Sequence, residues 1–509
     1  MRGQSRVSWL VLSFWLIGLH STWALELGLP FSDSAVLQAG KKLPIWGKAA
    51  SGSEVGVRLG NRERNATANH EGVWRVVFDP VTASFDPVEL EVRSGSEVLK
   101  RRNLLFGEVW LASGQSNMQW SLKNCAEGPA VLSEKPDQSL RVLNFQGRLH
   151  PGGKRFSREF LEKLTVENYY GSKGWQAADP ESLSGFSGVG YFFARKLREE
   201  LKVPVGIIHL AVGGSPIEAH LPREAFVNDK KLNVLLHEWW RNEEYPRWCR
   251  ERAALNLTEW FKDPIEGRSP PHPFAPSFLW EAGVQPILPL PVKGVIWYQG
   301  ESNATVDGGR GKAVPKEINR RKFEALIGAW RKAWRNEALP VCFVQLPGLN
   351  RDWELFREMQ YEVAQEVPHT AMAVTIDVGH PTNVHPRRKR PVGERLADLA
   401  LAEIYGQKGI EISPEVREVV FETSEARVLF DREVKARDGK YLIGFEVAGK
   451  DQEFVPAEAV VDGETVRLSS KQVATIEWVR YGWADDPVCN LVGRSGLPVG
   501  PFRRGAEKN

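Results

Sequence analysis

The chain has 509 residues, more than a single hydrophobic core usually serves, so about two to four domains are expected. With 42% hydrophobic residues, 26% charged residues and no low-complexity tract, the composition is that of a folded globular protein. A formal net charge of +3 is close to balanced, so neither nucleic acid nor an anionic membrane is implied as a partner.

Arg2 and Arg6 precede an almost wholly apolar stretch, residues 9–19, and Thr22-Trp23-Ala24 offers small residues for cleavage. This is the layout of a secretory signal peptide over 1–24, cut after Ala24. Its apolar core is short for a span of about 20 residues. The mature protein is therefore expected to be exported, periplasmic or extracellular, with no stable membrane insertion after signal cleavage. No sequence feature fixes an oligomeric state.

Residues 25–105 read as short strands: 55–59, 74–78 and 88–92 alternate apolar with polar or small residues between Gly, Asn and Pro punctuation. A small β-sandwich is the natural reading. From 106 to 405 strands and helices alternate. The continuous apolar run 205–211 has the character of a buried parallel strand, preceded by a helix-period segment at 191–201. Further strands are expected at 294–298, 341–346 and 371–376, with helices at 316–335, 355–366 and 392–404. The rhythm predicts an α/β fold, a parallel sheet with helices on both faces. A stretch rich in Trp, Arg, Glu and Pro, about 225–280, reads as an excursion from that core with some helix. Strand-like runs return over 410–509 as a second β-rich domain.

Cys125, Cys249, Cys342 and Cys489 form no CxxC pair, which argues against a zinc site. One or two disulfides are compatible with an oxidising compartment, and the spacing leaves their pairing open. Asn65, Asn256 and Asn303 are N-glycosylation sequons. Nineteen tryptophans are many for this length and read first as large core residues, with exposed stacking platforms as the alternative.

Four polar loops each follow an expected strand, and the carboxyl ends of parallel strands are where such folds place their sites. They are Ser113-Gly114-Gln115-Ser116-Asn117-Met118, Gly213-Gly214-Ser215-Pro216, Trp297-Tyr298-Gln299-Gly300-Glu301-Ser302-Asn303, and the stretch from Asp377 to Pro386. Each alone is an ordinary turn. Together they fit one site. A serine on a glycine-bearing turn presents its hydroxyl to a cleft, and adjacent glycines let a backbone N–H approach a ligand. Serine needs a base at neutral pH, and His385 is the histidine placed at a strand-to-helix junction late in the sheet.

Gly-Gln-Ser-Asn-Met, Gly-Gly-Ser-Pro-Ile-Glu-Ala, Trp-Tyr-Gln-Gly-Glu-Ser-Asn and Val-His-Pro followed by Lys389 and Val-Gly-Glu-Arg-Leu-Ala resemble the sialate O-acetylesterase family of the SGNH hydrolases. Stretches 31–47 and 481–503 resemble that family's amino- and carboxyl-terminal modules. The resemblance implies an SGNH, flavodoxin-like core flanked by β-rich domains, and a serine hydrolase that removes O-acetyl groups from sugars without cofactor or metal. It implies Ser116 as nucleophile and His385 as base. It also implies an oxyanion hole from the N–H groups of Ser116 and Gly214 (or Gly213) and the Gln299 amide. Gln115, Asn117, Glu218 and Glu301 become cleft residues.

The sequence departs from the family at the third triad member. Thr382 stands three residues before His385 and Asn383 two before, where the family's aspartates stand. Asp377 and Asn383 are the candidates to orient His385. Within the run Arg387-Arg388-Lys389-Arg390, Arg387 is the candidate for a sugar carboxylate or sulfate. The partner is an O-acetylated carbohydrate, sialic acid or another acetylated sugar such as acetylxylan. The competing reading is a non-catalytic carbohydrate-binding protein on an esterase scaffold. A lipase is disfavoured by the polar cleft.

Overall fold

The computed structural model describes residues 24–148, 154–307 and 311–506. The expected signal peptide therefore lies outside the described residues except for Ala24. Among the described residues no helix is long and apolar enough to cross a membrane.

The core is a sheet with the parallel order Asp137–Asn144, Val205–His209, Glu97–Gly114, Gly294–Tyr298, Val341–Val344, Thr370–Ala373. Trp175–Ala178 is added antiparallel at one edge. Strands Val205–His209, Gly294–Tyr298 and Val341–Val344 are buried at every residue, because helices cover both sheet faces. Helix Gly188–Leu201 starts at Ser187, whose hydroxyl accepts the Gly190 N–H, and ends at Lys202 with φ 54°. Helices Lys316–Ala333 and Glu354–Glu366 follow their expected positions. The last expected helix is α-helical over Arg390–Leu399 and closes as a π-helical turn, Ala400–Ile404.

The first parallel strand in the chain sits mid-sheet, between the third and the fourth. The chain's direction of travel reverses around it, and such switch points open a crevice at the carboxyl ends.

Both termini are β-rich. In strand Val73–Phe78 exposed and buried residues alternate one by one, which is how one face joins a core while the other meets water. It pairs with Leu43–Lys48, while Glu54–Leu59 pairs with Arg62–Thr67 and Ser84–Ser94. The strand Ser84–Ser94 then turns into Glu97–Gly114, 18 residues long. Its first half belongs to the amino-terminal sheet and its second half to the core, so the expected boundary at 105/106 falls inside one continuous strand. At the other end, Val416–Phe421, Glu425–Phe430, Thr465–Ser469 and Glu458–Asp462 form one antiparallel sheet. Phe445–Ala448, Trp478–Tyr481 and Phe502–Gly505 form part of another.

All four cysteines are free thiols. Of the sequon asparagines, Asn256 and Asn303 are buried and hydrogen-bonded, and Asn65 lies exposed on a strand.

Candidate active site

Ser116 lies two residues beyond the end of the central strand, at the start of the short helix Ser116–Gln119. Gly114 has φ 140°, and a Cβ there would lie 2.1 Å from the Tyr298 carbonyl oxygen, so no side chain fits. That close approach lets Gln115 donate its N–H to Tyr298 (2.9 Å) and Val212 donate to Gly114 (3.1 Å). Three strand-end loops are thereby stitched around one serine.

Gly213 stands beside Ser116, since a Cβ added to it would lie 3.6 Å from Ser116 Cβ. Its own N–H donates to Gln119 Oε1 at 2.8 Å. Among the described residues the N–H groups of Ser116 and Gly214 make no hydrogen bond, so these two, and not Gly213, are the available backbone donors. Gly214 adopts φ 75°, with Phe274 and Trp248 of the aromatic excursion closing over it.

The histidine loop is fixed from two sides. The ring of His385 stacks on Trp120, centroids 5.0 Å apart at 20°. Asn117, the residue after the serine, donates through Nδ2 to the carbonyl of Val384, the residue before the histidine (2.9 Å). The sequence neighbours of Ser116 and His385 are thus directly bonded. No hydrogen bond joins Ser116 Oγ to the His385 ring among the described residues. Burial, helped by the charges of Lys389 and Arg351, holds the imidazole below its ordinary pKa.

Neither candidate orienter holds the imidazole. Asp377 places both oxygens on Arg395, at 2.6 and 2.8 Å, and that partner keeps its carboxyl below the usual range despite burial. Asn383 Oδ1 accepts the main-chain N–H of His385 at 2.9 Å, so it shapes the loop instead of the ring. The Trp120 face is the ring's observed support.

Beneath Ser116 lies a buried polar network. Asn117 accepts from Lys389 Nζ at 2.5 Å and donates to Glu301 Oε1 at 2.5 Å. Burial pushes the Lys389 ammonium down to about 8 and raises the Glu301 carboxyl, whose Oε2 is buried with no hydrogen-bond partner among the described residues. Gln115 Oε1 accepts from the N–H groups of Gly300 (3.4 Å) and Ser302 (3.3 Å), bracing the 300–302 loop.

Other expected cleft residues serve the scaffold. Glu218 has no exposed surface and pairs with Lys322 at 2.6 Å, so it is placed to hold elements together and not to touch a sugar. Gln299 spends its amide on Asn303 Oδ1 (2.7 Å) and the Ser215 carbonyl (3.4 Å), which turns it away from an oxyanion. Arg387 is exposed, its Nε donating to the Asn124 carbonyl at 3.1 Å.

Ser215 Oγ does meet a histidine, His220 Nε2, at 2.9 Å, yet both are buried and the hydroxyl also donates to Val212. Burial drives His220 down to about 3, making this a neutral packing contact. Lys389, Trp120 and Gly214's aromatic cover are what sequence reasoning missed. Lys389 belongs to the motif after His385, but it sits in a run of cations that reads as solvated surface, so the sequence does not foretell its burial against Asn117.

Residues 281–402, which hold the 297–303 loop and His385, match the family described as carbohydrate esterase, sialic acid-specific acetylesterase. A solved carbohydrate acetylesterase from Xanthomonas citri is similar at 32% identity and a TM-score of 0.77, over 95% of this chain and 100% of that one. The chain belongs to the sialate O-acetylesterase family of carbohydrate esterases. Family members named sialate O-acetylesterase from Rattus norvegicus and Homo sapiens are each 26% identical to it, over 90% of this chain. They are covered over 90% and 88% of their own lengths. As a member of this family the chain is a carboxylic ester hydrolase, with the mixed sheet and terminal β-rich regions described above.

Proposed function

We propose that this esterase removes O-acetyl groups from a carbohydrate through an acetyl-enzyme on Ser116, with His385 as its base. The observation that carries the reading is the Asn117–Val384 hydrogen bond, which brings the serine and histidine loops together beside the unengaged N–H groups of Ser116 and Gly214.

In this reading Ser116 Oγ attacks the acetyl carbonyl as its proton passes to His385. The tetrahedral oxyanion accepts from the Ser116 and Gly214 N–H groups, each worth about 3–4 kcal/mol in comparable acyl-transfer sites. His385 then protonates the departing sugar oxygen, and the C–O bond to the sugar breaks. A water, deprotonated by His385, attacks the acetyl carbonyl; the Ser116 Oγ–acyl bond then breaks as His385 returns the proton to Oγ, and acetate leaves. With no carboxylate on the imidazole, the ring depends on Trp120 stacking for its orientation. O-acetylated sialic acid and acetylated plant polysaccharide both present the required ester. The amino-terminal 24 residues support export as the setting.

The test is acetate release by the mature protein from 9-O-acetylated sialic acid and acetylated xylan, side by side. Ser116→Ala should lower kcat by about 10⁴-fold or more on the better substrate. Release that survives this substitution would remove Ser116 from the mechanism. No release by the wild type, even from 4-nitrophenyl acetate, would favour a carbohydrate-binding protein on this scaffold.

A further inference from the structure

A second concave surface lies at the opposite end of the core sheet. It is a groove of about 800 Å³ where the amino-terminal sheet meets the segments leading into strands Gly294–Tyr298 and Val341–Val344. Ser116 and the 299–303 loop lie beyond the carboxyl ends of this sheet, so a five-residue strand, about 16 Å at about 3.3 Å per residue, separates groove from active site.

Four cations line it: Lys41 and Lys42 from the turn before strand Leu43–Lys48, Arg75 from strand Val73–Phe78, and Arg335 from the end of helix Lys316–Ala333. Among the described residues no carboxylate lines the groove, and none of the four makes an ion pair. Lys42, Arg75 and Arg335 are exposed. Lys41 is held below its ordinary pKa by burial and by the charge of Lys293, with Glu108 opposing. Glu108 itself accepts from Tyr405 Oη at 2.9 Å and Gln38 Nε2 at 3.3 Å. The walls between the cations are apolar, with Val77 exposed and Trp334 partly so; the Trp334 Nε1 donates to the Leu290 carbonyl at 2.8 Å, fixing its ring.

Cations at intervals above rigid apolar walls suit a chain that is anionic on its edges and has C–H faces. The geometry points to a remote binding groove for a carboxylated polysaccharide, holding the polymer while another stretch of it enters the active site. Carboxylates spaced along sugar rings meet the lysine and arginine groups, and ring faces lie on Trp334 and Val77. A duplex nucleic acid would match the charge and leave the apolar walls unused. The choice of a glycan as ligand rests on the carbohydrate-esterase reading; the existence of an anion-binding groove does not.

The experiment compares the wild-type protein with a Lys42→Ala/Arg75→Ala/Arg335→Ala variant, whose substituted side chains are exposed. Retention on immobilised polygalacturonate is measured, together with hydrolysis of O-acetylated polygalacturonate, neutral acetylated xylan and 4-nitrophenyl acetate. The expected result is wild-type retention that falls with added salt, lost in the variant, and a KM for the acidic polymer raised about tenfold. Hydrolysis of 4-nitrophenyl acetate and of xylan should be unchanged. Equal retention of both proteins overturns the proposal, as does tighter wild-type binding to duplex DNA or anionic vesicles than to polygalacturonate. Failure of the wild type on 4-nitrophenyl acetate instead strikes the esterase reading, and retention is read independently of it. A variant with an altered circular dichroism spectrum is replaced by Lys42→Glu alone, with the same outcomes.

Discussion

At the scale of single residues, burial first and then the charges around His385 lower its pKa, and under the proposed mechanism this sets the pH at which the esterase works. Lys389 and Arg351 both disfavour the imidazolium, and among the described residues no carboxylate is bonded to the ring to counter them. A base with a lowered pKa remains neutral further into acid, so the acidic limb of kcat/KM should lie below the ordinary imidazole range. Arg351→Gln removes one of those charges. The limb should then move upward in a pH–rate profile, with the plateau little changed; an unmoved limb would mean that burial alone holds the pKa down. Glu218 offers a different test. Removing one partner of a buried pair leaves the other charge uncompensated, at about 3–5 kcal/mol. Glu218→Ala should therefore lose stability of that order in urea denaturation, with no change in KM for 4-nitrophenyl acetate. A raised KM at wild-type stability would return Glu218 to the cleft. The motif residues are legible in the sequence because they cluster after strands. Their jobs are not, because Asn117, Glu301 and Lys389 form their network across 272 residues of chain and no local spacing records it.

At the scale of elements, the β-rich carboxyl terminus is clamped to the core helix Glu354–Glu366. Arg357 donates to the carbonyls of Ala484 (2.8 Å) and Asp485 (2.5 Å), and Arg503 grips Glu358 through two bonds of 2.9 and 3.0 Å. At this joint Glu354 is crowded by burial and by Asp485, and its carboxyl is pushed up to about 7. A raised folded-state pKa means that the native state holds the proton more tightly than the unfolded chain. Stability from this group is fully present below the unfolded pKa of about 4.3 and is lost as pH rises to about 7. Glu354→Gln should flatten the fall in Tm across that window, and an unchanged slope would assign the fall to other groups. Period-two alternation made strands such as Val73–Phe78 readable, and unbroken apolar runs marked the parallel strands. The excursion 225–280 is readable only as having some helix, because it has no sustained period to place the elements. It contains the short helices Arg223–Val227, Lys230–Asn233, Arg247–Asn256 and Thr258–Lys262, and between them Trp239 packs its ring against Tyr245 and His272.

At the scale of the molecule, strand Glu97–Gly114 gives the amino-terminal sheet and the catalytic core a common element. Its residues pair with Ser84–Ser94 near the start, with Val36–Gln38 at 105–107, and with Val205–His209 and Gly294–Tyr298 beyond. A fragment beginning at residue 106 would keep the serine and discard the pairing that fixes the strand's first half. Such a fragment should be insoluble or lack cooperative unfolding, whereas a soluble, cooperatively folded 106–405 fragment would show the core to be autonomous. Considered mechanically, the strand runs about 60 Å along the chain at about 3.3 Å per residue, bent at Asn103 (φ 58°), paired on both sides of that bend and ending just before Ser116. Displacing Ser116 means shearing hydrogen bonds in two sheets at once, while residues 381–383 beside the histidine are open to solvent. Whatever adjustment the site makes to a sugar should come from the histidine's side, against a serine that serves as the fixed jaw.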